Sequence, residues 1–274
     1  MGISKTPNVD YRGEPRKEFT MKNPAIFTTR TTPNECSKGL AFVSNGDGTC
    51  TVSGIGTCTD TDIKIPSVYN GEKVTSIGDC AFFDCDSLTS ISIPNGVTSI
   101  GDEAFWRCKN LTDVTIPEGV TLIGELAFFD CESLKDIALP DGLTIIGEKA
   151  FEYCRSLTSI VLPDGIIEIA RCAFSNCSAL VDIRLSNGLE KIGGCAFYGC
   201  SGLTSVTIPD GVNEICYSAF AKCSGLTNIT IPSRVMTIGD SAFSGCSGLT
   251  NIAIPKNATI GFQAFHGIPE IVKK

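Results

Sequence analysis

From Ile100 to Val120 the chain reads Ile-Gly-Asp-Glu-Ala-Phe-Trp-Arg-Cys-Lys-Asn-Leu-Thr-Asp-Val-Thr-Ile-Pro-Glu-Gly-Val. Its central dipeptide, Ala104-Phe105, recurs with alanines at Ala81, Ala127, Ala150, Ala173, Ala196, Ala219 and Ala242, always 23 residues apart, and again at Ala264 after 22. Four residues beyond each of the first eight alanines stands a cysteine, from Cys85 and Cys108 to Cys246, and three further on a leucine, from Leu88 to Leu249. A unit this short cannot bury its own apolar face, so about nine units stack and share one continuous core. The fold class is a repeat solenoid.

Within each unit, the apolar residues of segments such as Leu88-Thr89-Ser90-Ile91-Ser92-Ile93 end in strand alternation. Pro-x-Gly follows, as in Pro94-Asn95-Gly96 and Pro117-Glu118-Gly119, where proline presets φ and glycine permits a left-handed residue. A second short strand leads through Asp102 into Glu-Ala-Phe, which reads as one helical or 3₁₀ turn with an acidic start. The solenoid is therefore expected to be mainly β with short helical turns, its core filled by Phe82, Leu88, Ile91, Ile93, Val97, Ile100 and their equivalents. At about 4.8 Å per strand, nine turns make a rod or arc roughly 40 Å long. Three segments are expected: a polar basic arm over 1–38, flexible or docked; a capping hairpin and first half-repeat over 39–78; and the repeat array over 79–274, with a degenerate cap where Gly267-Ile268 replaces Cys-x. Net charge divides the same way, +3 over residues 1–38 and −11 over the rest.

Composition excludes much chemistry. His266 is the only histidine among 274 residues, and no Cys-x-x-Cys occurs, so triads and zinc sites lack material. No catalytic, cofactor or metal site is expected. A net charge of −8 and a pI near 4.8 oppose binding to nucleic-acid phosphates. No apolar run is long enough to span a membrane, and the polar N-terminus does not read as a signal peptide. Met1-Gly2-Ile3-Ser4-Lys5-Thr6 does fit an N-myristoylation pattern at Gly2, with marginal membrane contact as its consequence. Eight of the fifteen cysteines are one repeated inward position, read as buried free thiols with an S–H donor available for a backbone carbonyl. Cys50 and Cys58 flank Gly54 symmetrically and are read either as a disulfide across a hairpin or as two thiols.

The phrase quoted above resembles the BspA-like leucine-rich repeat of treponemal type, over about residues 63–271. The entry segment Asn70-Gly71-Glu72-Lys73-Val74-Thr75-Ser76-Ile77-Gly78 is similar to that family's as well. The resemblance implies a bacterial or microbial-eukaryotic surface protein that adheres to matrix proteins or cells, a binding module without catalysis.

Two surfaces are candidates for the protein partner, and the aromatic slot is expected to matter more than the strand face. Phe83, Trp106 and Phe129 share one slot in successive repeats, Tyr198 recurs there, and Tyr153 lies one residue off. Ser175, Ala221 and Ser244 in the same slot suggest that it is exposed, and stacked aromatics there would form an apolar partner patch. The outward strand positions are mostly Thr and Ser, with Lys135, Asp136, Asp182 and Arg184 as the exceptions. Stacked turn carboxylates Glu118, Asp141 and Asp164, with Asp210 beyond Asn187, read as a calcium ladder or as a solvated edge. The leading expectation is a non-catalytic, adhesin-like scaffold at the cell surface or secreted. The alternative is an intracellular subunit docked into a larger assembly through its arm and aromatic patch.

Overall fold

The computed structural model describes residues 36–273; the basic arm up to residue 35 and the Gly2 motif lie outside the described residues. β1 (Ala41–Ser44) and β2 (Thr49–Gly54) form an antiparallel hairpin whose turn holds Gly46 and Gly48 at φ 83° and 86°. β3 (Asp62–Lys64) opens the ladder of outward-facing strands. β4 (Val68–Tyr69) runs antiparallel to β5 (Glu72–Ile77), and β5 lies parallel between β2 and Ser99–Ile100. The hairpin thus covers the first edge of the short-strand ladder, with the Phe42 and Tyr69 rings stacked at 4.0 Å.

Each subsequent turn, numbered 1 to 9 from Phe82 to Phe265, repeats one path. A face strand such as Asp113–Thr115 buries only its middle residue, and a short strand such as Leu122–Ile123 buries its second. The core phenylalanines stack ring on ring at 5.0–5.7 Å from Phe82 to Phe265. Seven thiols, Cys108 to Cys246, each donate to the carbonyl of the phenylalanine one turn back, as in Cys108 Sγ to Phe82 O at 3.0 Å and Cys154 Sγ to Phe128 O at 3.2 Å. Cys85 has no earlier repeat to donate to. It is only half-buried, against the expectation of eight equivalent rungs.

The expected helical turn is absent: no helix occurs among the described residues. The residues before the alanine and before the cysteine take left-handed φ in every turn, as at Glu103 (55°) and Arg107 (59°), which interrupts any run of right-handed helix. Alternate amides instead point along the stack. Glu103, Phe105 and Arg107 N–H donate to the carbonyls of Glu125, Ala127 and Phe129 at 2.7–2.8 Å, and three such bonds join every successive pair of turns to Gly245 N–H and His266 O.

This turn ladder is continuous, whereas both strand ladders are broken. The short strands separate between Ile145–Ile146 and Glu168–Ile169. The face strands pair in groups, such as Ser159–Val161 with Asp182–Arg184, and residues 135–139 join none of them. Ring spacing does not decide where the face ladder breaks: the rings flanking residues 135–139 stand 5.0 and 5.2 Å apart, whereas face strands still pair across spacings of 5.5 and 5.7 Å. At the widest break Asp136 follows Asp113 in the repeat register, and like charges directly opposite oppose pairing.

One turn expectation needs correction. The glycines of Pro-x-Gly do not adopt positive φ. They are required by close approach, since a Cβ at Gly96 would stand 2.9 Å from Val74 O and one at Gly211 2.7 Å from Leu189 O. Of the two hairpin positions open to the sequence, Asn45-Gly46 and Gly54, the chain closes at residues 45–48; Cys50 lies opposite Ser44, and of the two alternatives for Cys50 and Cys58 the free thiols stand.

Candidate interaction surfaces

The face strands expose mainly hydroxyls that the fold itself uses. Thr89 Oγ1 donates to Thr61 O at 2.9 Å, Thr112 Oγ1 to Thr89 O at 3.0 Å and Thr227 Oγ1 to Thr204 O at 3.2 Å, so these threonines brace one turn on the last. Turns 3 to 5 depart from this pattern. Val161 on turn 4 and Val181 on turn 5 stand 51% and 50% exposed, with Lys135 and Asp136 on turn 3 and Asp182 and Arg184 following Val181 on turn 5. Val161 pairs with Arg184 and Ser159 with Asp182 on the neighbouring strand. Asp136 accepts a hydrogen bond from Thr158 Oγ1 at 3.1 Å, which holds its carboxylate at the rim. Where residues 135–139 leave the ladder, the surface sinks into a depression of about 340 Å³ floored by Ala138, Leu139 and Val161. Of the four charged residues singled out in the sequence, Asp136 alone lines the depression, while Asp182 and Arg184 lie on the next strand opposite Ser159 and Val161. Val161 and Val181 went unweighed there; the signal was a β-branched residue in an outward position otherwise held by Thr or Ser.

On the turn side of each repeat, the aromatic slot is a connected chain rather than an open patch. Phe83 meets Trp106 edge-on at 5.1 Å, Trp106 meets Phe129 at 5.6 Å, and Phe129 meets Tyr153 at 5.5 Å. Tyr153 joins the row from one residue away because Glu152 occupies the slot in its turn. All four rings are half-buried, and Ser175 and Ala221 in the same column are buried at 2% and 4%. Small residues there do not mark exposure, contrary to the sequence inference; the column lies in the flank between successive turns. Tyr198 stands apart under Lys222 Nζ, 5.0 Å above its ring, and Arg155 covers Tyr153 at 5.1 Å. Burial pushes the Glu152 carboxyl up from its ordinary range, as it does Asp130, where Glu132 adds to the effect and Lys109 opposes it.

The short-strand side carries a further pair the sequence reading passed over, Ile145 and Ile167, exposed at 52% and 60% where that ladder is interrupted. Along the turn edge Glu118, Asp141, Asp164 and Asp210 are exposed, and Asp164 Oδ1 accepts from the Asn187 backbone and side-chain amides at 3.2 and 3.0 Å. Among the described residues no three His, Cys, Asp or Glu side chains converge on one point, and no helix is long and apolar enough to cross a membrane.

Comparison with known proteins follows this geometry closely. The chain is similar to a leucine-rich repeat protein from Bacteroides ovatus, at 33% identity and a TM-score of 0.76 over 84% of this chain and 61% of that one, so it spans less than two thirds of that protein's length. It is similar to a leucine-rich repeat protein of T. pallidum, at 28% identity and a TM-score of 0.58 over 80% and 91% of the two chains. A leucine-rich cell surface protein from Faecalibacterium prausnitzii shares the fold at 24% identity and a TM-score of 0.56, over 89% and 96%. No protein of curated function matches the chain. Residues 56–181 and 144–272 match the BspA type leucine rich repeat region in six copies, and with the left-handed turn ladder and the stacked Ala-Phe core these matches place the chain in the BspA-type leucine-rich repeat family.

Proposed function

We propose that this chain is a non-catalytic, adhesin-like scaffold that binds a protein partner through the face strands of turns 3 to 5. The observation that supports the reading is half-exposed Val161 in an apolar depression that Asp136 also lines, with Arg184 opposite it on the next strand and half-exposed Val181 on the same turn as Arg184. Apolar side chains that a partner can desolvate, ringed by charges that fix orientation, make a binding centre, whereas a Thr and Ser ladder already bonded to its own backbone does not. Surface or secreted location and adhesion to matrix proteins are supported by the family. The segments 1–38, 39–78 and 79–274 are kept as proposed functional divisions.

The second reading places the partner on the aromatic row, favoured by the edge-on chain through Phe129 and Tyr153, and with it an intracellular subunit docked into a larger assembly. Binding of the full chain to immobilised extracellular-matrix proteins separates them. Val161→Ser with Val181→Ser and Arg184→Ala is expected to weaken binding by a hundredfold or more, at about 2 kcal/mol for each effective hot spot, while Phe129→Ser with Tyr153→Ser leaves it within about threefold. The reverse pattern establishes the aromatic row. Failure of the unaltered chain to bind any matrix protein removes the adhesin reading.

A further inference from the structure

Cys172 and Cys195 stand immediately before Ala173 and Ala196, in the left-handed position of turns 5 and 6, with φ 55° and 57°. Their amides donate to Gly194 O and Tyr217 O, each at 2.9 Å, so the two residues sit in phase on adjacent turns and project in parallel. The seven core thiols each end on a phenylalanine carbonyl. These two stand in a separate column, one above the other on adjacent turns. Cys172 is 8% exposed and Cys195 half-buried, which leaves the pair reachable from the turn side.

Parallel side chains on stacked turns do not bring sulfurs to the roughly 2.05 Å and near-perpendicular torsion of a disulfide without twisting the turns. Two sulfurs held at about 2.3 Å on opposite sides of a two-coordinate ion stand up to roughly 4.6 Å apart, close to the spacing of stacked turns. Among the described residues no third Cys, His, Asp or Glu converges on the pair, so the set is two sulfurs, a donor set that selects a soft ion content with low coordination. We propose that Cys172 and Cys195 form a two-thiolate site for a soft monovalent ion of the copper(I) class, independent of the partner surface. On binding, two S–H bonds break, two metal–sulfur bonds form, two protons leave to solvent, and no electron is transferred. The resulting site carries one negative charge. Burial pushes both thiols up, Cys172 to about 12, with Glu152 adding to the rise and Arg171 opposing it, and Arg171 is steadied by Tyr217 Oη at 3.1 Å and Glu148 at 3.5 Å.

The test titrates the full chain with copper(I) under anaerobic, reducing conditions against a bidentate chelator, reading bound copper by native mass and its ligands by X-ray absorption. One copper per chain with two sulfur neighbours is expected. Cys172→Ser and Cys195→Ser should each lose it, while Cys85→Ser and Cys216→Ser keep it. Serine already fills this position at Ser218 and Ser241, so the variants should fold, and an unchanged melting temperature verifies that. Retention of copper by the Cys172→Ser, Cys195→Ser double variant, or no retention by the unaltered chain, overturns the proposal.

Discussion

Sixteen residues other than glycine hold positive φ among the described residues, and nearly all of them fall at the two left-handed positions of the repeat. An L-residue there costs roughly 1–2 kcal/mol relative to a right-handed conformation, a cost offset by the cross-turn amide bonds that the conformation aims. Ser241→Gly, at φ 55°, is therefore expected to raise stability by about 0.5–1 kcal/mol, the relief of strain less the added freedom of the unfolded chain; chemical denaturation measures it, and a loss of stability counts against the strain. The core thiols give a second expectation. Burial pushes Cys131, Cys154, Cys177 and Cys200 far above the ordinary thiol range, so the folded chain presents almost no thiolate at these positions. Native protein at pH 8 should label rapidly at exposed Cys36 and only after denaturation at the core rungs; fast labelling of Cys177 contradicts its burial. The periodic cysteine was legible in the sequence because a small thiol recurs at one spacing. The role of the Pro-x-Gly glycine was not, because what crowds it is a carbonyl of the preceding turn, Val74 O at Gly96 and Leu189 O at Gly211.

At the scale of the element, the acidic residue that reads as a helix start is a bracket between turns. Asp79 Oδ1 accepts the Asp102 amide at 2.9 Å, and Asp102 Oδ1 the Glu125 amide at 2.8 Å. Burial, with Asp79 and Glu125 nearby, raises the Asp102 pKa above its ordinary 3.8, though the Glu125 amide works against the rise. The folded state then binds this proton more readily than the unfolded state, so the ionised carboxyl costs stability at neutral pH, and that cost fades as pH falls through the raised value toward 3.8. Asp102→Asn keeps the acceptor and removes the charge. It should melt higher than the unaltered chain at pH 7, with the advantage gone by about pH 3.5; an advantage that persists in acid would point to a cause other than charge. Strand positions were legible from alternation, while the turn segment was misread because its Glu-Ala-Phe composition suits a helix and nothing local reveals that alternate amides are claimed by the next turn.

Across the solenoid, the three ladders differ in continuity, and opening should follow that difference. Amides of Phe105, Phe128, Phe151 and Phe174, buried in the uninterrupted turn ladder, are expected to exchange slowest with deuterium, and those of residues 135–139, which join no strand, among the fastest of the face. Uniform protection along the face strands would show that the breaks close in solution. By itself the sequence determined the stacking, the period, the inward Ala, Phe, Cys and Leu columns and the family, since each follows from one short unit that must bury its apolar side against a copy of itself. Tertiary structure alone decided which outward residues form a surface. Val161, Arg184 and Asp136 lie on separate turns and become neighbours only through register, and the depression beside them lies where residues 135–139 join no face strand. A gap between strands is a property of the stack, and no single repeat contains it.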